Sequence, residues 1–243
     1  MKMDLSDKTA VVTGGSSGIG KALALELARY RARLYIVGRK SEALNEVGSA
    51  VKGQASWVRA CQVDLTVDRE VDLFAKQVAD EFGGLDLLIH SAGLFARGSW
   101  EASPIEELDR LYRINLRARC LLTQRLLPLL KQRQGQIVFI NSSAAALRAH
   151  GQTGLYVATM HAGRALADSL RDEVNTAGVR VLEVFVGRTA TPMQAKVHEL
   201  EGKTYQPERL IQPEELAAMI IQTLVLQRSA EVTNLSVRPM LKT

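Results

Sequence analysis

The sequence is poor in the residues that mark several classes of protein. Its 243 residues include only two cysteines, Cys61 and Cys120, and neither stands in a Cys-x-x-Cys pair. This usage predicts neither a disulfide framework nor a zinc site. We therefore expect no metal and a reducing, cytoplasmic environment.

Long apolar runs and blocks of like charge are also missing. No stretch approaches the roughly 18 apolar residues of a membrane span, and residues 1–8 lack the apolar core of a signal sequence. The formal charge of +5 is spread over 31 basic and 26 acidic residues, without a long basic run. We therefore expect a soluble protein that binds neither nucleic acid nor a membrane, whereas the basic balance suits an anionic cofactor.

The chain does carry enough apolar residues for one substantial core, since 47% of it is hydrophobic. Apolar runs alternate with helical patterns, which is typical of an α/β doubly wound parallel sheet with helices on both faces. We predict one domain over residues 1–243. The predicted strands are 9–12, 33–38, 57–63, 85–90, 136–140, 179–185 and 231–237. The predicted helices are 21–30, 41–53, 68–82, 103–131, 156–176 and 213–227.

A glycine-rich loop follows the first predicted strand and precedes the first helix. A strand that turns through glycines into a helix presents backbone N–H groups with a partial positive charge, which suits a pyrophosphate. The glycines permit close backbone approach and a tight turn. By itself the motif fits an ordinary glycine loop equally well. The candidate cofactor-binding residues of this loop are Gly14, Ser16, Ser17, Gly18, Ile19 and Gly20.

Three further strand ends carry candidate cofactor contacts. Arg39 follows the second strand, where an acidic residue holds a ribose 2′-hydroxyl and an arginine accepts a 2′-phosphate, so it favours NADP(H). Asp64 and Leu65 follow the third strand and are candidates for adenine contacts, although Asp64 is also a candidate helix cap. Small residues follow the fourth strand, where a cofactor ribose is expected. They are Ser91, Ala92 and Gly93.

Two polar positions stand out in the second half of the chain. Asn115 lies within an apolar helical stretch, where its amide needs hydrogen-bond partners. Taken alone, it is best explained as a core amide that ties a helix to the sheet. Tyr156 begins a helical pattern thirteen residues after Ser143, which follows the fifth strand.

Taken together, these residues make the chain resemble the classical short-chain dehydrogenase/reductase family over nearly its whole length. The resemblance implies that Ser143 holds the substrate oxygen, and that Tyr156 is both the general acid/base and a cofactor-binding residue. It implies that Asn115 holds a helix kink and a water of the proton relay, and that Thr189 or Thr191 lies near the carboxamide or phosphates of the cofactor. The family also implies a homodimer or homotetramer that acts on a small carbonyl compound or alcohol.

The chain departs from the family pattern at the lysine that follows the tyrosine by four residues, because this position is Met160. A thioether carries no charge, so it neither lowers a tyrosine pKa nor grips a ribose. His161 and Arg164 point poorly as substitutes on a helix of 3.6 residues per turn. Ser91 stands where the family usually has asparagine, and Val186 where it has proline.

Two functions remain open at this point. The first is an NADP(H)-dependent oxidoreductase with weakened catalysis. The second is an NADP(H)-binding sensor or assembly partner without useful turnover. In either case the polar segment 193–206, which has few apolar anchors, is predicted to be a flexible substrate lid.

Overall fold

The computed structural model describes residues 4–146 and 151–241. Its seven strands form one parallel sheet in the order β3-β2-β1-β4-β5-β6-β7, which confirms the predicted fold class. The strands are β1 Thr9–Thr13, β2 Arg33–Gly38, β3 Trp57–Gln62, β4 Leu87–His90, β5 Gln136–Ser142, β6 Arg180–Val186 and β7 Asn234–Val237.

Helices connect the strands and cover both faces of the sheet. They are α1 Gly18–Arg29, α2 Ser41–Val51, α3 Asp68–Phe82, α4 Ile105–Tyr112, α5 Ala118–Arg133, α6 Gly154–Val174, α7 Pro192–Leu200 and α8 Pro213–Leu224. Buried side chains of α1, α2 and α8 form the core on one face, and those of α3, α5 and α6 form the core on the other. Strands of a sheet covered on both faces are buried along nearly their whole length, as β1, β2 and β4 are here.

The strand order reverses between β1 and β4, because β1 pairs with β2 on one side and β4 on the other. In open parallel sheets, ligands bind in the crevice at the carboxyl ends of the strands beside such a reversal. The glycine loop after β1 and the Ser91 to Gly93 segment after β4 therefore meet at this crevice.

The predicted helix 103–131 is interrupted, because residues Arg113–Arg117 form a π-helical turn between α4 and α5. Asn115 lies in this turn. Such turns widen a helix locally and are frequent at functional sites. The interruption agrees with the helix kink that the family resemblance implies at Asn115.

Segment 193–206 is better anchored than its polar composition indicates. Most of it is the helix α7, in which Val197 and His198 are buried. Glu201 at the end of α7 accepts two hydrogen bonds from Arg188, at 2.7 and 2.8 Å. The expectation of few anchors was wrong, because α7 buries two side chains and Glu201 forms ion pairs with Arg97, Arg188 and Lys203. The flexibility of the lid stays a prediction.

Candidate active site

The glycine loop provides an anion site at the amino end of α1. Gly14 and Gly18 adopt positive φ angles of 67° and 53°, which disfavour any residue with a Cβ. A Cβ on Gly14 would lie 2.8 Å from the backbone nitrogen of Ala92, so the loop passes directly against the end of β4. Within the described residues, no side chain caps α1 and no acidic residue occupies its first turn. The residues present therefore fit a pyrophosphate.

Thr13 fixes the two loops of the crevice to each other. Its hydroxyl accepts hydrogen bonds from the backbone N–H groups of Ser91 and Ala92, at 3.1 and 3.2 Å, and donates to the carbonyl of Ile89. A buried threonine hydroxyl thus holds the segment predicted to lie against a cofactor ribose. The sequence showed Thr13 in the glycine motif but gave no sign of this role.

The Arg39 side chain is exposed at the end of β2, beside Asp64. Asp64 does not cap α3, since its carboxylate accepts hydrogen bonds from the backbone N–H and hydroxyl of Thr66, at 2.9 and 2.7 Å. Burial raises the pKa of the Asp64 carboxyl, but the Thr66 hydrogen bonds and the Arg39 charge outweigh it and lower the pKa. Leu65 is buried next to it. These residues lie on one side of the crevice, as a dinucleotide adenosine requires.

Asn115 connects three segments of the site and is itself fully buried. Its Oδ1 accepts a hydrogen bond from the backbone N–H of Leu94 at 2.8 Å, and its Nδ2 donates to the carbonyl of Leu94 at 3.0 Å. The same Nδ2 lies 3.1 Å from the Thr159 hydroxyl on α6. The side chain therefore ties the loop after β4 to the helix that carries Tyr156.

Tyr156 lies in the first turn of α6 and contacts the end of β5. Burial raises the pKa of the Tyr156 hydroxyl, whereas a side-chain hydrogen bond with Ser142 and the charge of Arg119 act to lower it. The net direction is upward, so the phenol is protonated at neutral pH. Its ring meets the ring of Phe95 edge to face, with centroids 4.9 Å apart.

The structure brings Ser142, rather than the predicted Ser143, to the Tyr156 hydroxyl. Ser142 is the last residue of β5, and its hydroxyl also accepts a hydrogen bond from the backbone N–H of Ala144 at 3.1 Å. Ser143 opens the short 3₁₀ turn that follows and is half-buried. The two hydroxyls are adjacent, and the assignment of Ser143 to the substrate oxygen stays a prediction.

Met160 fills the space one turn below Tyr156 and is only 3% exposed. It packs in a small apolar cluster with Ala145, Phe185 and Tyr156. Arg164, the next residue along this face, places its guanidinium 5.5 Å from the centre of the Phe185 ring, and His161 is exposed. The positive charge that lowers the Tyr156 pKa is that of Arg119.

The last loop of the crevice follows β6. Thr189 is buried and donates a hydrogen bond from its hydroxyl to the carbonyl of Gly187 at 3.1 Å. Thr191 caps α7, and its methyl group would lie 3.0 Å from a Cβ on Gly18. Thr191 is thus the one of the two threonines that contacts the glycine loop. Without the proline of the family pattern, this loop is held by a hydrogen bond from the N–H of Gly187 to the carbonyl of Val237 at 2.8 Å.

Several residues of the site gave no sequence signal that we recognised. Arg119, Asn141 and Glu183 are buried beneath the tyrosine helix, and the side chain of Asn141 donates to Glu183 Oε1 at 2.6 Å. Arg119 lies in the same apolar stretch as Asn115, so a charged residue among apolar neighbours was the signal available.

In the described ranges, no helix is long and apolar enough to span a membrane. The same residues contain no cluster of three or more histidine, cysteine, aspartate or glutamate side chains arranged to hold a metal ion.

Comparison with known proteins assigns the family. Residues 8–202 match the family described as short chain dehydrogenase. An uncharacterized oxidoreductase of Staphylococcus epidermidis is 30% identical over 97% of this chain and 98% of its own length.

Solved structures agree with this. An alcohol dehydrogenase from the archaeon Thermococcus sibiricus, complexed with 5-hydroxy-NADP, superposes with a TM-score of 0.88 at 28% identity, over 97% of this chain and 98% of its own. A short chain dehydrogenase from Burkholderia cenocepacia in complex with NADP gives a TM-score of 0.86 at 28% identity, with the same coverage. Fold, crevice and sequence matches together lead to one conclusion: the chain belongs to the short-chain dehydrogenase/reductase family of oxidoreductases.

Proposed function

We propose that the protein is an NADP(H)-dependent oxidoreductase that interconverts a small carbonyl compound and the corresponding alcohol, with weakened catalysis. The observation that carries this proposal is the Tyr156 hydroxyl, hydrogen-bonded to Ser142 at the carboxyl edge of β5 and facing the same crevice as the glycine loop. A positioned phenol and a neighbouring hydroxyl are the two groups that carbonyl reduction requires from a protein.

The choice of NADP(H) over NAD(H) rests on Arg39. Its guanidinium is exposed at the end of β2, where it is available for charge-assisted hydrogen bonds to a 2′-phosphate. The Asp64 carboxylate, which the Arg39 charge affects, accepts two hydrogen bonds from Thr66. The complexes of the Thermococcus sibiricus and Burkholderia cenocepacia proteins with NADP derivatives or NADP support the same choice.

The reaction uses the chain's own residues for orientation and proton transfer, while the bound nicotinamide supplies the hydride. Ser142, with Ser143 beside it, holds the carbonyl oxygen within reach of Tyr156. Tyr156 donates its proton to that oxygen as the carbonyl carbon is reduced, and solvent returns a proton to the phenolate. Asn115 keeps Tyr156 in place by holding α6 and the Leu94 loop together.

The direction of the Tyr156 pKa shift favours reduction. A phenol whose pKa is raised by burial is a competent proton donor over the physiological range, but it is deprotonated only at high pH. Alcohol oxidation needs the phenolate as base. We therefore expect the reductive direction to persist at neutral pH and the oxidative direction to require alkaline conditions.

A second function has its own support in Met160. This residue is buried against Tyr156 and offers no charge, which is the arrangement expected of a relative that binds NADP(H) as a sensor or assembly partner without turnover. The two proposals share a cofactor site and differ in proton transfer.

One pair of measurements separates the two functions. NADPH binding is measured by fluorescence, and NADPH oxidation is followed with a panel of activated ketones and aldehydes in the same preparation. Binding together with oxidation above the level of Tyr156→Phe supports the oxidoreductase. Binding without such oxidation supports the sensor, and lack of binding contradicts both.

We also propose a homodimer or homotetramer in the cytoplasm. Ile105 and Tyr112 on α4 are 64% and 47% exposed, and Leu73 on α3 is 60% exposed, although they are apolar. Exposed apolar side chains grouped on neighbouring helices are typical of subunit contacts. Light scattering that gives only the chain mass of 26.7 kDa would contradict the oligomer.

A further inference from the structure

Arg119 is buried beneath the active site without a carboxylate partner. It lies in the first turn of α5 and is 4% exposed. Its Nη2 donates a hydrogen bond to the carbonyl of Ile140 on β5 at 3.0 Å. Within the part of the chain that the structure describes, its Nε and Nη1 are buried without hydrogen-bond partners, and no acidic group forms an ion pair with it. Such an arrangement costs stability, so it calls for an explanation.

Two glycines lie next to this guanidinium under the tyrosine helix. A Cβ on Gly163 of α6 would lie 3.8 Å from Arg119 Nη1, and one on Gly93 would lie 3.8 Å from Nη2. Gly163 follows Tyr156 by seven residues, which places both on the same face of α6. The charge of Arg119 therefore lies between the ends of β4 and β5 and the face of α6 that carries Tyr156.

The titratable groups around Arg119 come from four elements. They are His90 on β4, Cys120 on α5, Tyr156 on α6 and Glu183 on β6. Burial, reinforced by Arg119, lowers the pKa of His90 to about 3, and burial raises the pKa of the Cys120 thiol, so both are neutral at physiological pH.

Tyr156 and Glu183 are the remaining two groups, and the negative charge of each would raise the pKa of Arg119. Burial lowers the pKa of Arg119 to about 10, which leaves it protonated at neutral pH. Burial raises the pKa of the Glu183 carboxyl, against an opposing hydrogen bond from Asn141. Arg164 and Arg171 face Glu183 from α6 rather than Tyr156. The charge that acts on Tyr156 is therefore that of Arg119.

We propose that Arg119 is a positioning cation for proton transfer, whose fixed charge beneath α6 stabilises the negative charge that develops on the Tyr156 oxygen when the proton leaves. It thereby takes over part of the role that a lysine has in the family at the position of Met160. The inference rests on the proposed oxidoreductase function. Because Coulomb attraction falls with distance and Arg119 does not contact the phenol, its effect is smaller than that of an adjacent ammonium.

The proposal explains why an unpartnered buried cation is present. Hydrogen bonds to side chains or waters compensate part of a buried charge. Arg119 has one carbonyl partner, and among the described residues two of its donor nitrogens have no partner. Its field is therefore available to Tyr156. Local arrangements that reduce stability are expected at sites where they serve function.

The test compares Arg119→Met, which removes the charge at similar length, with Arg119→Lys, which keeps it. The first readout needs no turnover: ionisation of Tyr156 is followed by tyrosinate absorbance, as the difference between each protein and its Tyr156→Phe derivative. Circular dichroism defines the pH range in which each protein stays folded. The second readout is the pH profile of kcat/KM for alcohol oxidation.

We expect Arg119→Met to reduce the ionised fraction of Tyr156 below pH 10, where Arg119 still carries its charge, so that oxidation on the rising limb of the profile falls by about tenfold per pH unit by which this part of the titration is displaced. Arg119→Lys should restore most of this difference. The thermal stability of Arg119→Met should be equal to or higher than that of the parent, since it removes a desolvated charge.

Three results would overturn the proposal. They are an unchanged Tyr156 ionisation in a folded Arg119→Met protein, an equal loss of rate at every pH, and, should Arg119→Met not fold, a folded Arg119→Gln protein in which Tyr156 titrates as it does in the parent. If instead Tyr156 titrates as expected but neither protein oxidises an alcohol, the proposed function fails and the assignment of Arg119 stands.

Discussion

The two halves of the crevice achieve binding in different ways. The half formed by β1, β2 and β3, here called the cofactor half, presents backbone N–H groups at the amino end of α1, and its geometry depends on glycines and one threonine hydroxyl. The half formed by β4, β5 and β6, here called the proton-transfer half, depends on individual side chains, above all Tyr156, Ser142 and Asn115. Phosphate binding through the backbone survives many substitutions, whereas proton transfer changes when one side chain changes.

This difference explains how a chain that departs from its family at Met160 keeps an intact cofactor crevice. Met160 is well packed against Ala145 and Phe185, so the substitution preserves the core while it removes a charge. A buried cation from another helix, Arg119, lies under the same tyrosine. The predictions below separate the two halves, beginning with the largest expected effect.

Removal of the proposed proton donor should affect only the proton-transfer half. Tyr156→Phe should lower NADPH-dependent ketone reduction by about 10²–10⁴-fold, the usual contribution of a general acid. NADPH affinity should fall much less than the rate, because Tyr156 is only one of the predicted cofactor-binding residues and lies outside the glycine loop. Tyr112→Phe, at an exposed tyrosine, is the matched control. Reduction that survives in Tyr156→Phe would assign the proton to another group.

A methyl group on the glycine loop should affect only the cofactor half. Gly14→Ala forces a positive φ on alanine and brings its Cβ to 2.8 Å from the Ala92 nitrogen. We expect a loss of about 2–3 kcal/mol in the free energy of unfolding, together with weaker NADPH binding.

Gly53→Ala is the control for this substitution. Gly53 has a φ of 87°, but nothing lies within 4 Å of its Cβ position. It should cost about 1 kcal/mol of unfolding free energy from backbone strain alone. Equal losses in the two variants would show that the contact between the glycine loop and β4 is unimportant.

The choice between cofactors is tested at Arg39. Arg39→Ala should weaken NADPH binding by about tenfold or more, because a charge-assisted hydrogen bond contributes roughly 1.5–3 kcal/mol. NADH binding should change little, and Lys40→Ala serves as the control at the neighbouring exposed cation. Equal affinities of the parent for NADPH and NADH would reject the preference that we propose.

Met160→Lys should strengthen the proton-transfer half. A lysine here would lower the Tyr156 pKa, and a fall of about one pKa unit corresponds to a tenfold gain in alcohol oxidation at a pH where the fraction of phenolate limits the rate. The gain is limited because the new ammonium enters an apolar cluster and is repelled by Arg119. Rates are measured at several pH values, with and without Tyr156→Phe. A gain that persists in the double variant would not come from Tyr156.

The smallest expected effect concerns α7, the helix of the predicted lid. Burial raises the pKa of the Glu201 carboxyl, but Arg188 and Lys203 outweigh it, so the pKa is lowered on folding. A lowered carboxyl pKa adds stability above the unfolded value, and this is lost as the pH falls through the folded value.

Glu201→Gln should therefore reduce the free energy of unfolding by about 1–2 kcal/mol at pH 7, and by less in acid. The matched control is Glu107→Gln, which breaks the exposed pair with Arg110 and should cost little. A loss that is the same at acid and neutral pH would show that the ion pair of Arg188 does not stabilise the folded protein.

Local sequence patterns predicted most of the helices and strands. Helix Asp68–Phe82 agrees with the predicted bounds, since its apolar positions repeat every turn and Gly83 ends it in a left-handed conformation. Strand β4 begins at Leu87 rather than at residue 85, because Leu85 and Asp86 donate their backbone N–H groups to the carbonyls of Leu129 and Thr9 outside the regular ladder. Such pairing depends on tertiary contacts that no local pattern contains.

The candidate site was less predictable for the same reason. Tyr156 and Asn115 were identifiable from their position in the chain, but the Ser142 hydroxyl reaches Tyr156 because β5 extends two residues beyond its apolar run. The place of Arg119 beneath Tyr156 could not be predicted, because its neighbours Ile140, Gly93 and Gly163 come from three distant segments. Only the folded chain brings them together.

The central claim is that the protein reduces carbonyl compounds and that proton donation from Tyr156 limits the rate. The most direct test is the rate of NADPH oxidation with an activated ketone in H₂O and in D₂O, for the parent and Met160→Lys. Our account predicts slow oxidation in the parent that slows further in D₂O, and a smaller solvent effect in Met160→Lys. Oxidation that is indifferent to D₂O, or no oxidation above Tyr156→Phe with NADPH bound, would contradict it.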